Sequence, residues 1–359
     1  MAITLGWDPV ADAAGFIFAI DGNEKLADGK RHFTMDGSRT SVKLAKPTDV
    51  LPHTYTVEAL GVVGTGSVVS PAPPPAGRHL GNGFLLNAQG TSYKDLTVVQ
   101  HQAFGGIIVG YGDETNVVRD APDHGLGYRT IVECGTPSSS DPGTQPGFVS
   151  IAFLRANGLV LKDGNGVEIT NGAGLLMGDL GSPVYQAEWV RNAKARHAAT
   201  GLNAHFLDNV SGYIWPGWKT AAGVSVRPAK YPTDQDYADA VASFLTAIRA
   251  ALLDTYLLAN AGDGAPDRLD WWKRIAAIGI DGLCCEDPLL DSYRLSMLQA
   301  AQAAGRDAWV ILTGVTSPTD PKTLQYAQAF KSVWNGVGGG YGMWNGSWPL
   351  NDFWAAAIR

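Results

Sequence analysis

Two periodicities divide the chain. Up to about residue 70, apolar and polar residues alternate in short runs, Ile3–Trp7, Phe16–Ile20, Ser41–Leu44 and Thr54–Leu60, broken by turn dipeptides such as Asp21-Gly22 and Asp36-Gly37. Such alternation predicts half-buried strands, and several at this spacing predict an all-β sandwich over residues 1–70. The stretch Ser70-Pro71-Ala72-Pro73-Pro74-Pro75-Ala76-Gly77 cannot continue a sheet or a helix, so residues 71–79 read as a proline-rich linker. From residue 80 to 359, strand-like runs begin to alternate with helical stripes. The strand-like runs are Leu96–His101, Tyr128–Cys134, Phe148–Leu154, Leu202–Leu207, Tyr256–Ala259, Gly279–Cys285, Ala308–Leu312 and Gly340–Trp344. Helices are predicted over Pro183–Thr200, Thr233–Leu253, Arg268–Ile278, Leu289–Gly305 and Pro321–Val333. Eight strands, mostly followed by helices, over ~250 residues match a (β/α)8 TIM barrel, with a doubly wound sheet as the alternative.

Composition narrows the chemistry. The 27 Lys and Arg against 34 Asp and Glu leave a net charge of −7, which argues against binding a nucleic-acid backbone, since that needs a basic face. At 45% hydrophobic residues the chain can bury a core, although only 17% are charged. Three cysteines, with Cys284 and Cys285 adjacent, make no disulfide framework, and no C-x-x-C or histidine cluster points to a metal or other cofactor. The segment Met1–Pro9 lacks the basic and apolar regions of a secretion signal. No apolar run approaches the ~18 residues that would predict membrane insertion.

In the front part, Leu5-x-Trp7 followed by Asp8-Pro9-Val10 and Gly15-Phe16 resembles the opening strands of a fibronectin type III module. Leu51-Pro52-His53-Thr54-Tyr55-Thr56-Val57-Glu58-Ala59 resembles its late strand. The resemblance implies a core role for Trp7 and a tyrosine-corner role for Tyr55, and hence a spacer or docking module.

Chemistry in a barrel gathers at the carboxyl ends of the strands. Two acids stand there: Asp208 closes Leu202–Leu207 and Glu286 closes Ile280–Cys285, on the fourth and sixth strands of the count above. A pair of acids across a barrel mouth is what glycoside hydrolysis needs, one giving a proton to the leaving oxygen and the other attacking or activating water. Helix capping or loop anchoring is the competing role for Asp208. The stretches Asn157–Gly166, Met177–Tyr185, Phe206-Leu207-Asp208-Asn209, Leu257–Asn260 and Asp281-Gly282-x-x-x-Glu286 resemble TIM-barrel glycoside hydrolases. That resemblance implies catalytic roles for Asp208 and Glu286, and a hydrogen bond from Asn209 favouring the ionised acid would make Asp208 the nucleophile or base. Glu286 is expected to donate the proton, kept protonated by Asp287 and the apolar Leu283–Cys285 run.

Substrate contacts are expected from Asn209, Asn260 and Asp179, although Asp179 could instead brace the turn before Pro183. Glu133 near the end of the second predicted strand suits a buried ion pair as well as catalysis, and His205 reads as a packing residue. Among eleven tryptophans, Trp215, Trp271 and Trp344 lie near strand-end loops where their rings could stack on sugars. A fibronectin-like module without a secretion signal, joined to a carbohydrate-active barrel, resembles phage minor tail and tail-tip proteins. This implies a virion protein, made in the host cytoplasm, that binds or hydrolyses cell-envelope polysaccharide. Its partners would be that polysaccharide, other tail proteins through the front module, and further copies of itself. The alternatives are a non-catalytic receptor-binding tail protein and a bacterial polysaccharide hydrolase.

Overall fold

The structure is a computed structural model and describes residues 2–6, 15–20, 32–34, 41–45, 55–60, 80, 82–88, 97–110, 112–134, 149–171, 174–214, 217–262, 268–286, 292–312 and 339–344. The chain forms two compact units, Met1–Pro73 and Pro74–Arg359. The first contains strands β1 (Ala2–Gly6), β2 (Gly15–Ile20), β3 (His32–Thr34), β4 (Ser41–Ala45) and β5 (Tyr55–Leu60). β1 pairs antiparallel with β4, and β2 pairs antiparallel with both β3 and β5. Trp7 and residues 71–79 of the expected linker lie outside the described residues.

The second unit opens with β6 (Asn82–Ala88), α1 (Val98–Ala103), β7 (Gly106–Val109), α2 (Glu114–Asp120), β8 (Gly125–Thr130) and α3 (Ile151–Ala156). It continues with β9 (Ile169–Thr170), α4 (Pro183–Thr200), β10 (Ala204–Asp208), β11 (Lys219–Thr220), α5 (Asp234–Ala251), β12 (Tyr256–Asn260) and α6 (Arg268–Ile278). The last elements are β13 (Gly282–Glu286), α7 (Ser292–Ala303), β14 (Asp307–Leu312) and β15 (Gly339–Trp344). Eight strands, β6, β7, β8, β10, β12, β13, β14 and β15, pair in parallel in chain order, and β15 returns to β6 to close a barrel. The doubly wound alternative is thereby replaced by the ring.

Two of the predicted strands are corrected. Leu96–His101 falls on α1, where Val98 and Val99 are strand-like residue types but sit exposed on a helix. Phe148–Leu154 falls on α3, whose N-cap Ser150 accepts a hydrogen bond from the Phe153 amide at 3.2 Å. In their place stand β6 and β7. The errors cancel in the count, so Asp208 still ends the fourth barrel strand and Glu286 the sixth. The predicted helix at Pro321–Val333 lies outside the described residues.

Alternation along each strand sorts side chains between two cores. Leu85, Ile108, Leu126, Phe206, Leu258, Cys284, Trp309 and Ile311 pack on one another inside the ring. The alternate residues, among them Ile107, Val109, Leu207, Leu257, Ala259, Leu283, Ala308 and Val310, pack outward with the helices. At the amino-terminal ends, Asp307 plugs the ring, accepting from the Leu80 amide at 2.9 Å and the Tyr256 hydroxyl at 2.7 Å.

Candidate active site

Side-chain parity decides what lines the mouth. Two residues beyond an inward-facing side chain, a strand points inward again. The next inward positions after Leu126, Phe206, Leu258 and Cys284 are Tyr128, Asp208, Asn260 and Glu286, all on the contiguous strands β8, β10, β12 and β13. The interior thus changes from apolar to polar at one level, the carboxyl ends of four neighbouring strands.

Hydrogen bonds join these four residues. The Asn260 side-chain nitrogen donates to Asp208 Oδ1 and to Glu286 Oε1, at 2.8 Å in each case. Asp208 Oδ1 also accepts from the Asn209 backbone amide at 2.9 Å, and the Tyr128 hydroxyl donates to Asp208 Oδ2. Burial, reinforced by Asp208, pushes the Tyr128 phenol far above its ordinary range, which keeps it a donor. Asp208 therefore accepts from three donors, while Asn260 fixes its spacing from Glu286. The two acceptor oxygens cannot lie farther apart than twice the 2.8 Å that separates each from the shared nitrogen.

The turn after Asp208 is unusual. Asn209 adopts a left-handed backbone with φ of 63°, a conformation that asparagine tolerates better than most residues. Its side chain hydrogen-bonds Glu133, which lies just beyond β8. Glu133 Oε1 also accepts from Asn171 Nδ2 at 2.6 Å. Burial raises the Glu133 carboxyl above the usual glutamate value, against the Asn171 hydrogen bond and with a further push from Asp208. Among the described residues the partners of this carboxyl are thus two neutral amides and a neighbouring carboxylate, not the cation of the ion-pair alternative.

Asp179 is buried away from these contacts, receiving hydrogen bonds from Lys230 and from the Tyr231 hydroxyl. That hydroxyl also accepts from the Gly181 amide at 3.1 Å, so Asp179 braces the turn ahead of α4. Trp271 is only 5% exposed and donates to the Val210 carbonyl at 3.1 Å. A Cβ on Gly212 would come within 2.8 Å of the Trp271 ring, so a bare backbone occupies one face of this indole. The ring holds the loop after Asp208. His205 is buried on the outward side of β10, with its ring edge-on to Trp189, and burial drives its pKa down. Trp215 and Asp287 lie outside the described residues, and of Trp344 only the backbone, in β15, is described.

Tyr128 and Asn171 escaped the sequence reading. The signal for Tyr128 was its parity with Leu126, hidden by placing the strand at Tyr128–Cys134 rather than Gly125–Thr130. Nothing local marks Asn171, which reaches Glu133 because an arm folds back on β8 through the Glu133–Met177 bridge. Among the described residues, no group of three or more His, Cys, Asp or Glu side chains is placed to hold a metal ion. No described helix is long and apolar enough to cross a membrane.

No protein-family model and no curated protein matches the chain. Similar solved structures include a GH36 alpha-galactosidase from Geobacillus stearothermophilus in complex with stachyose, at 10% identity and a TM-score of 0.48, covering 99% of this chain and 54% of that one. An alpha-amylase from Geobacillus thermoleovorans complexed with acarbose is similar at 10% identity and a TM-score of 0.40, covering 75% and 71%. A putative deoxyribose-phosphate aldolase from Toxoplasma gondii is similar at 10% identity with the same TM-score, 0.40, over 78% and 94%. The chain spans about half the length of the first two structures it resembles, 50% and 54%.

Proposed function

We propose that the barrel is a glycoside hydrolase of the retaining type, with Asp208 as nucleophile and Glu286 as acid and base. The shared Asn260 nitrogen carries this reading. It limits the two bridged carboxyl oxygens to a separation of at most twice 2.8 Å, which supports the ~5–5.5 Å spacing of retaining enzymes over the ~6.5–9.5 Å that leaves room for an inverting water. In the first step an Asp208 oxygen bonds to the anomeric carbon as the glycosidic C–O bond breaks, and the Glu286 proton passes to the leaving oxygen. In the second, water bonds to that carbon, its proton returns to Glu286, and the bond to Asp208 breaks. Asp208 suits the first role because all three of its described side-chain hydrogen bonds are accepted, none donated.

The substrate we propose is cell-envelope polysaccharide and the setting a phage tail, supported by the sequence resemblance of both parts of the chain. Mass spectrometry of purified virions tests the setting. Reducing-sugar release, with proton NMR of the first-formed anomer, tests the chemistry: a product that keeps the substrate's configuration is expected, and an inverted one overturns the assignment.

A further inference from the structure

Glu133 has no role in the two-carboxylate scheme, yet it is held as a site residue is held. Its backbone is pinned by the bridge to Met177, and its carbonyl accepts from Thr130 Oγ1 at 2.6 Å. Asn171, which presents its amide to the carboxyl, is fixed in turn, its own Oδ1 accepting from the Leu175 amide at 2.9 Å. On the other side stands Asn209, whose side chain hydrogen-bonds the same carboxyl from the left-handed turn after Asp208. Asn171 is buried, whereas Glu133 itself is half-exposed. Around the rim, Glu133 and Glu286 flank Asp208 on opposite sides, one after β8 and the other at the end of β13.

We propose that Glu133, clamped by Asn171 and Asn209, is a substrate-binding residue that grips a hydroxyl of the sugar ring seated against Asp208. The inference rests on the proposed glycoside site. A sugar hydroxyl both donates and accepts, and a carboxylic acid offers both functions on adjacent oxygens. A permanently ionised group beside Asp208 would offer acceptors only and would repel its neighbour. Among the described residues, the charged group that acts on Glu133 is Asp208, which disfavours the ion, and Glu133 in turn acts on the neutral Tyr128, Cys134 and Tyr237 side chains. Burial first, and then the neighbouring Asp208 charge, keep the proton on Glu133 to higher pH than an ordinary glutamate, outweighing the hydrogen bonds from Asn171 and Asn209 that favour the ion.

Saturation-transfer NMR on the full chain, with methyl glycosides of glucose, galactose, mannose and N-acetylglucosamine as probes, tests the clamp without requiring turnover. Wild type should bind at least one of the four. Glu133→Ala should weaken that binding about tenfold, and Glu133→Gln, which keeps a donor and an acceptor, should change it far less. Circular dichroism of each variant checks that the fold survives. Unchanged affinity in Glu133→Ala, or no binding of any probe by wild type, overturns the clamp. So does a loss confined to kcat that azide restores, because that marks an acid catalyst. Binding that depends on Glu133 with no hydrolysis of any polysaccharide keeps the clamp and removes the hydrolase reading instead.

Discussion

Asn260 offers two N–H bonds from one nitrogen, and each ends on a different carboxylate. Asn260→Ala removes both at once, so the acids lose their common anchor while neither is itself altered. Steady-state kinetics should show kcat falling by roughly 10²-fold with a smaller change in KM; a variant with wild-type kcat would show that the bridge does not set the spacing. Loss of a reacting group is costlier: Asp208→Asn and Glu286→Gln should each lower kcat by at least ~10²–10⁴-fold with the fold intact. Glu133 yields a stability prediction of known sign. Its carboxyl is raised in the folded protein, so between the ordinary glutamate value and that raised value the native state binds more protons than the unfolded chain. The stability this group contributes is full below that window and is lost as pH rises through it. Glu133→Gln should therefore flatten the dependence of urea-unfolding free energy on pH there, and an unchanged slope would contradict the burial of this carboxyl. Asp208 and Glu286 were legible because each closes a short, mainly apolar strand, Ala204–Leu207 with His205 as its one polar residue and Gly282–Cys285. Glu133 was visible as an acid but not as a member of the group, since its neighbours Asn171 and Asn209 come from separate elements.

At the scale of elements, legibility followed the strength of the local pattern. The predicted helix Arg268–Ile278 coincides with α6, and α5 carries both an apolar stripe and a capping box in which Thr233 and Asp236 exchange hydrogen bonds. β7 is a buried run of four residues that itself begins with Gly106, right after Gly105, and is too short for its period to be read. Such strands exist because the ring supplies partners on both sides. The helices are locked to it by specific contacts. Glu114 of α2, fully buried, pairs with Arg129 of β8 and Arg196 of α4, and Arg129 is itself only 2% exposed. Removing the acid strands a buried guanidinium, so Glu114→Ala should destabilise the barrel by about 3–5 kcal/mol. Thr233→Ala, at an exposed helix start, should cost only about 1 kcal/mol. Urea titrations of the two variants give the comparison, and equal losses would refute the distinction drawn between a buried network and an exposed cap.

Considered as a whole molecule, the chain separates a region with a described hydrogen-bonded carboxylate cluster from one with described strands only. All eight pairings that close the ring, and every hydrogen bond among Tyr128, Asp208, Asn260 and Glu286, come from within Pro74–Arg359. A parallel barrel has no free edge once its first and last strands pair, so it needs no strand from outside to complete its backbone hydrogen bonding. Residues 74–359 produced alone should therefore fold cooperatively, with the melting temperature of the barrel transition in the full chain. On a soluble oligosaccharide the truncated protein should keep the full-length kcat and KM, because no residue of the site has been removed. Assembly into a particle should fail, if the front unit is the docking module that its resemblance implies. Calorimetry, oligosaccharide kinetics and incorporation into virions thus read three separate properties of one truncation. A barrel that melts lower or loses kcat without residues 1–73 would mean that the front unit completes the catalytic body, and its role as a separate docking module would have to be abandoned.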